Sequence, residues 1–304
     1  MPDARYPDRF SDRIRALTIV CALALASAIV VVSNIAPTRV SAGELLGAVR
    51  APGEIAFVAG HRGDSTVAPE NTLPAVRAAI AAGYDYVEVD VALTADGVPV
   101  LMHDATVDRT TDGRGPLAEL TLDQVRRLDA GSWFAPAHTG TPVPTFSEFA
   151  VVLAASDRRA LVELKGEWDA GSVNALVAQI HASGLERRLA LLSFDADTLG
   201  YVESASEVIS RLAILRAVPD DVVGAVRALG AYGAVVNGKA VLAEPEIVDE
   251  LHAAGLRIAV YTFNQDRQWR AALDLGVDGI VTDTPAELVR WLAAEAETCE
   301  TACR

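Results

Sequence analysis

Two acids two residues apart open the chemistry of this chain. Glu88 and Asp90 lie in YDYVEVDVAL. Side chains on a strand alternate faces, so both carboxylates project to one side while Val87, Val89 and Val91 take the other. A hydrophobic core has no use for paired acids. A divalent cation does, because Ca²⁺ and Mg²⁺ take carboxylate oxygens and cancel the repulsion between them. The same spacing returns in RALVELK, where Glu163 and Lys165 share a face and Glu163 offers a third oxygen donor. His61 and Arg62 open an HRG run, and His103 follows PVLM. Arg62 and Lys165 would offset the acids and grip an anion, the arginine fork being shaped for phosphate oxygens. His61 and His103 can then serve as general base and general acid, in either order. The set points to metal-assisted chemistry on a phosphate.

Each residue alone has an ordinary reading. A strand-end histidine is often a hydrogen-bonded structural group, Glu163 with Lys165 makes a simple ion pair, and Glu88 with Asp90 fits a solvated strand face. These readings need independent placements of charge on otherwise apolar strands, whereas one metal and phosphate site explains all of them. His138, His181 and His252 read as surface residues in loops and helices. Glu70 and Asn71 are placed to cap a helix beginning near Thr72, although their position just after the first strand also permits a role in the site.

Elements that position such a set follow from the periodicity. Strand-like runs occur at 55–60, 85–93, 159–165, 189–194, 211–217, 233–237, 256–263 and 277–283. Ala-rich amphipathic stretches lie between them, several ending at a glycine suited to a helix C-cap. Eight such units predict a closed (β/α)8 barrel. A doubly wound sheet is disfavoured because no Gly-rich phosphate loop follows the first strand. The run PVLMHD at 99–104 follows the second strand after the turn at 95–97, too closely for a crossover helix. It is expected to fold back as a hairpin and carry His103 over the carboxylates. Residues 105–158 then form a short helical excursion, with Trp133 and Phe134 available to line a pocket. Barrel sites sit at the C-terminal ends of the strands, where His61, Glu88, Asp90 and Glu163 all fall.

The chain has 304 residues, a formal charge of -15 and a pI of about 4.7. The balance speaks against an extended phosphate-binding surface, and no nucleic-acid partner is expected. Residues 1–16 contain Arg5, Arg9, Arg13 and Arg15, and 17–36 are apolar and uncharged for about one membrane crossing. The expectation is a cytoplasmic basic terminus and a transmembrane anchor or signal segment, with export of the remainder. Removal of the segment would occur near Ala42, where VSA at 40–42 suits a signal peptidase. A linker at 37–52, a barrel at 53–294 and a tail at 295–304 complete the expected organisation. Cys21 lacks the small residue a lipoprotein box needs before it, and Cys299 with Cys303 could pair at the tail in an oxidising compartment.

Taken in order, HRG, PENT at 69–72, EVDV, LTADG at 93–97, PVLMHD, RTTDGRG at 109–115, VELK, LSF, YTFN and GVDGIVTDTP resemble the glycerophosphodiester phosphodiesterases over about residues 56–290. The resemblance implies a (β/α)8 barrel that uses one divalent cation, Ca²⁺ or Mg²⁺, to hydrolyse glycerophosphodiesters to sn-glycerol 3-phosphate and an alcohol. Carried over by position, His61 and His103 look like the acid/base pair. Glu88, Asp90 and Glu163 look like metal ligands, and Arg62 and Lys165 like phosphate contacts. Glu70, Asn71, Trp133, Phe194, Tyr261 and Asn264 are further support or pocket candidates. Tyr261 stands where many members carry tryptophan, which leaves that pocket wall open. The alternatives are a lysophospholipase D-like hydrolase on membrane lysolipids and a non-catalytic ligand-binding barrel.

Overall fold

The computed structural model describes residues 40–302, with side chains described as far as Glu297. The apolar run at 17–36, expected to enter a membrane, lies outside the described residues, as do the side chains of Cys299 and Cys303. Among the described residues no helix is long and apolar enough to cross a membrane.

The β-branched runs become nine strands: β1 (Phe57–Gly60), β2 (Tyr86–Leu93), β3 (Pro99–Leu101), β4 (Arg159–Leu164), β5 (Leu189–Ser193), β6 (Ser210–Leu215), β7 (Gly233–Asn237), β8 (Arg257–Tyr261) and β9 (Gly279–Thr282). Eight pair in parallel around a ring, and β1 closes it by bonding both β2 and β9. The ninth, β3, is the expected hairpin arm: it runs antiparallel to β2, with Val91 opposite Leu101 and Leu93 opposite Pro99. Helices lie outside the ring, as parallel crossovers require. Thr72 caps the helix Leu73–Ala82 through the Ala75 N–H, and Gly83, in the left-handed region at φ 82°, ends it.

Strand alternation divides the apolar residues into two layers. Val87, Val89 and Val91 face outward and pack with Val76, Phe146 and Phe149 between sheet and helices. Tyr86 faces inward on the floor with Phe57, Leu161, Leu212 and Val281. Glu88 and Asp90 share that inward face, so β2 climbs from an apolar floor to a charged mouth in four residues. The excursion at 105–158 includes the helices Leu122–Val125 and Phe146–Ala154. It carries a small core of its own, in which Val107, Leu117, Val125 and Val143 cover the hairpin's Val100 and Met102.

Residues 37–52, expected as a linker, do more than connect. From Val40 onward they plug the bottom of the barrel: Val40, Leu45 and Leu46 join the floor cluster. Leu45 O accepts from Tyr86 Oη and from Arg159 Nη1, the latter at 2.8 Å. Three such side chains contribute about 1.5–3 kcal/mol each. Where a tail was expected from 295, the last helix instead continues from Pro285 to Ala302, with Arg270 paired to Glu295.

Candidate active site

Parallel register decides which strand-end side chains meet. Asp90 and Glu163 are direct partners across β2 and β4, and Glu88 lies two residues below Asp90 on the same face. One oxygen from each of the three falls within 4.8 Å of the others. Asp90 is 0% exposed and Glu88 5%. Asp90 Oδ1 and Glu163 Oε1 are buried with no hydrogen-bond donor among the described residues. Lys165 Nζ makes ion pairs with them at 3.8 and 2.9 Å. Burial, together with the charges of Asp90 and Glu163, pushes the Glu88 carboxyl up to about 8. Burial and Asp90 raise Glu163 in the same way. Three crowded carboxylates, two of them with an oxygen that lacks a hydrogen-bond donor, are a donor set that fits a hard divalent cation.

The HRG run is shaped by its backbone. Gly63 has φ 87°, and a Cβ there would lie 2.7 Å from the carbonyl carbon of Ala75. Glycine is required where the chain turns against the following helix. Arg62 has φ 60°, a costly conformation for a non-glycine residue and one found at functional sites. It aims the Arg62 N–H at Glu88 Oε2, 2.8 Å away. The guanidinium sits 3.3 Å from Asp90 Oδ2 and 2.6 Å from Glu70 Oε1.

Closure of the ring also sets His61. Gly60 pairs with Thr282 across β1 and β9, so the next residues, His61 and Asp283, come side by side. His61 Nδ1 lies 2.5 Å from Asp283 Oδ1, and Asn264 Nδ2 donates to the other oxygen at 2.7 Å. Burial works against the charged imidazole, but Asp283 and then Glu88 outweigh it and raise the His61 pKa. The hairpin delivers His103 to the opposite side. Met102 N bonds Asp90 O at 3.1 Å, and His103 Nδ1 meets Asp104 Oδ1 at 2.6 Å. Burial lowers the His103 pKa. Both histidines thus turn Nδ1 to an aspartate.

Most of the expected residues converge on a chamber of about 430 Å³ lined by His61, Arg62, Glu88, His103, Glu163, Lys165, Phe194 and Tyr261. Asp90 is buried beneath it. Asn264 stands behind Asp283. Asn71, in place of capping the helix, clasps Asp90 from both sides: Nδ2 donates to Oδ2 at 2.8 Å and Oδ1 accepts the Asp90 N–H at 3.0 Å. Glu70 likewise leaves the cap to Thr72 and links Arg62 to Arg109, 2.7 Å from the second guanidinium. Trp133 is not brought in. Its indole donates to Ala130 O at 2.9 Å and its ring meets Phe134 edge-on within the excursion. His252, expected at the surface, is 3.0 Å from Asp278 below the barrel.

Four residues escaped the sequence reading. Asp283 and Asp104 orient the histidines. Arg109 ties Glu70 to Asp104, with Nε 2.6 Å from Asp104 Oδ2. Arg216 lies over the Phe194 ring at 4.2 Å and lines the chamber. Asp104 was detectable as the neighbour of His103, and Asp283 as the strand end that closure sets beside His61. Arg109 opens the RTTDGRG run, a motif that by itself gives its first residue no role, and nothing in the local sequence marks Arg216.

Known proteins resemble the chain in both sequence and fold. Residues 61–287 match the model of the glycerophosphoryl diester phosphodiesterase family. A glycerophosphodiester phosphodiesterase of Caldanaerobacter subterraneus subsp. tengcongensis is 30% identical over 239 residues, covering 77% of this chain and 96% of its own. Among solved structures, a phosphodiesterase of Oleispira antarctica in complex with the product sn-glycerol-3-phosphate superposes with a TM-score of 0.73 at 27% identity. It covers 78% of this chain and 96% of that one. The glycerophosphodiester phosphodiesterase of Agrobacterium tumefaciens gives 0.65 at 30% identity, covering 76% and 97%. With residues 61–287 matched by the family model, the chain belongs to the glycerophosphoryl diester phosphodiesterase family.

Proposed function

We propose that the chamber hydrolyses glycerophosphodiesters to sn-glycerol 3-phosphate and an alcohol, with one divalent cation and two histidines. The observation that carries this reading is the convergence of one oxygen each from Glu88, Asp90 and Glu163 within 4.8 Å, beside two histidines that each turn Nδ1 to an aspartate. Glu88, Asp90 and Glu163 would hold the cation, Ca²⁺ or Mg²⁺. When bound, such an ion supplies Lewis-acid polarisation of a phosphoryl oxygen.

The chain's own groups account for the remaining work. Arg62 and Lys165 bring positive charge to the phosphate anion, and their pairing with Glu70, Asp90 and Glu163 holds both side chains in place. Asp283 and Asp104 engage Nδ1 of each imidazole, so Nε2 is the atom left to exchange a proton. One histidine takes the proton of the attacking hydroxyl as the new P–O bond forms. The other gives a proton to the alcohol oxygen as the old P–O bond breaks. The attacking hydroxyl is water or the neighbouring glycerol hydroxyl, and trapping a cyclic glycerophosphate in a single turnover distinguishes the second from the first.

The test is release of sn-glycerol 3-phosphate from glycerophosphocholine by the full chain with Ca²⁺ or Mg²⁺. Release that stops with a chelator and in His61→Ala and His103→Ala is expected. Release that persists in a chelator, or in both alanine variants, would overturn the reading. The apolar run at 17–36 supports an extracytoplasmic domain, which protease treatment of intact cells expressing the full chain tests.

A further inference from the structure

A second cavity opens off the chamber. Its volume is about 590 Å³, within the range of ligand pockets, and it shares His103 and Lys165 with the chamber. Beyond those two side chains its wall is made largely by Ala92, Leu93, Ala95, Ala105, Leu117 and Ala118; Asp104 also lines it, with its carboxylate engaged by His103 and Arg109. The one hydroxyl in this stretch, Thr94 Oγ1, is already engaged within the hairpin turn: it donates to Asp96 Oδ1 at 2.6 Å and accepts the Val98 N–H at 3.0 Å. Glu167, an exposed carboxylate, stands among the cavity's lining groups.

A glycerophosphodiester has two unlike arms, and the two spaces differ in what they can satisfy. The glycerol arm carries two hydroxyls, which cost free energy if they are buried without partners. The chamber has partners for them in Arg216, Asn237 and Tyr261. The second cavity, with Thr94 occupied, has none in its middle stretch. Resting on the function proposed above, we infer that this cavity is the subsite for the leaving alcohol and that it selects alcohols with an apolar, uncharged body. A hydrocarbon chain loses nothing against a wall of alanine and leucine methyls. Glu167 repels an anionic alcohol.

The placement also orders the two histidines. The alcohol oxygen leaves phosphorus beside His103, at the junction of the two spaces. As that P–O bond breaks, His103 Nε2 gives the oxygen its proton. His61, on the chamber side, takes the proton of the attacking hydroxyl, so atoms and charges balance with one water consumed per diester.

The experiment compares kcat/KM of the full chain, with Mg²⁺ or Ca²⁺, on glycerophosphodiesters of methanol, butanol, hexanol, glycerol and choline, all read as sn-glycerol 3-phosphate released. The expected result is a rise of up to about fourfold per methylene from methyl toward hexyl, with hexyl above glycerol and choline. Ala118→Phe fills the cavity from an exposed position on the turn Leu117–Glu119. It is expected to collapse the hexyl-to-methyl ratio toward one, mainly through KM, and Ala95→Phe serves as a second filling variant. A flat series, a preference for glycerol or choline, or a ratio unmoved in both variants would overturn the subsite while leaving the diesterase reading intact. No release from any diester with either cation would overturn the reading beneath it.

Discussion

The two ends of the barrel use the same side-chain types to opposite effect. Below the floor, Asp278 is 0% exposed and every approach to it is a partner. Ile258 N donates at 2.8 Å, His252 Nε2 lies at 3.0 Å, Arg50 N donates at 3.3 Å and the Arg50 guanidinium is 3.9 Å away. At the mouth, Asp90 is equally buried, yet one oxygen of Asp90 and one of Glu163 have no hydrogen-bond donor, and Glu88 is held among like charges. A buried acid whose bonds are all made is a strut. Three crowded acids, two of them with an oxygen that lacks a hydrogen-bond donor, are a set the fold has not itself neutralised. The contrast separates structural from functional charge, which burial alone does not.

The largest expected effects test that contrast directly. His61→Ala and His103→Ala should each cost about 10²- to 10⁴-fold in turnover without lowering the unfolding midpoint. Asp278→Ala should do the reverse, because it strands His252 and Arg50. It is expected to lose about 3–5 kcal/mol in urea unfolding, with the folded fraction still turning over diester. Equal stability losses at both ends would erase the distinction.

Removing the cation comes next. Glu88 in the cation-free protein stands at about 8, above the 4.5 of an ordinary glutamate. Between these values the folded state holds more protons than the unfolded one, so stability falls as pH rises through the window. Chelated protein should therefore melt at a higher temperature at pH 5 than at pH 8. Added Ca²⁺ or Mg²⁺ should remove that slope, and Glu88→Gln should flatten it without metal. A slope unchanged in Glu88→Gln would show that another group carries it.

Smaller effects belong to the groups behind the histidines. Asp283→Asn and Asp104→Asn should lower kcat about 10- to 100-fold with KM nearly constant, since each acts through the imidazole it orients. A change confined to KM would contradict that role. Arg109→Gln should be the mildest. Its hydrogen bond, with His103, holds Asp104 down at about 2. That lowered carboxyl contributes stability above the ordinary aspartate range, lost as pH falls toward 2. In the variant that contribution is smaller and its loss is complete at a higher pH, a difference well under about 1 kcal/mol for a half-exposed pair. An acid-unfolding curve that coincides with the parent's would remove Arg109 from the network.

Much of this was legible before folding. Spacing by two put Glu88 with Asp90, and Glu163 with Lys165, on shared faces, because strand period is a local property of the backbone. The eight strand runs and the close turn before PVLMHD likewise named the barrel and its hairpin, since periodicity and loop length are written along the chain. What stayed hidden depended on pairs far apart in sequence. Asp283 reaches His61 across 222 residues only because β1 closes onto β9. His252 finds Asp278 under the floor. The 40–52 stretch becomes a plug because the barrel bottom exposes apolar side chains that need covering. Trp133, chemically suited to a pocket, stays at the surface of the excursion, held by its indole bond to Ala130 O and its edge contact with Phe134. The sequence by itself determined which groups the strands present and on which face. Only the tertiary structure decided which of them would be satisfied, because that depends on closure of the ring and on register across it.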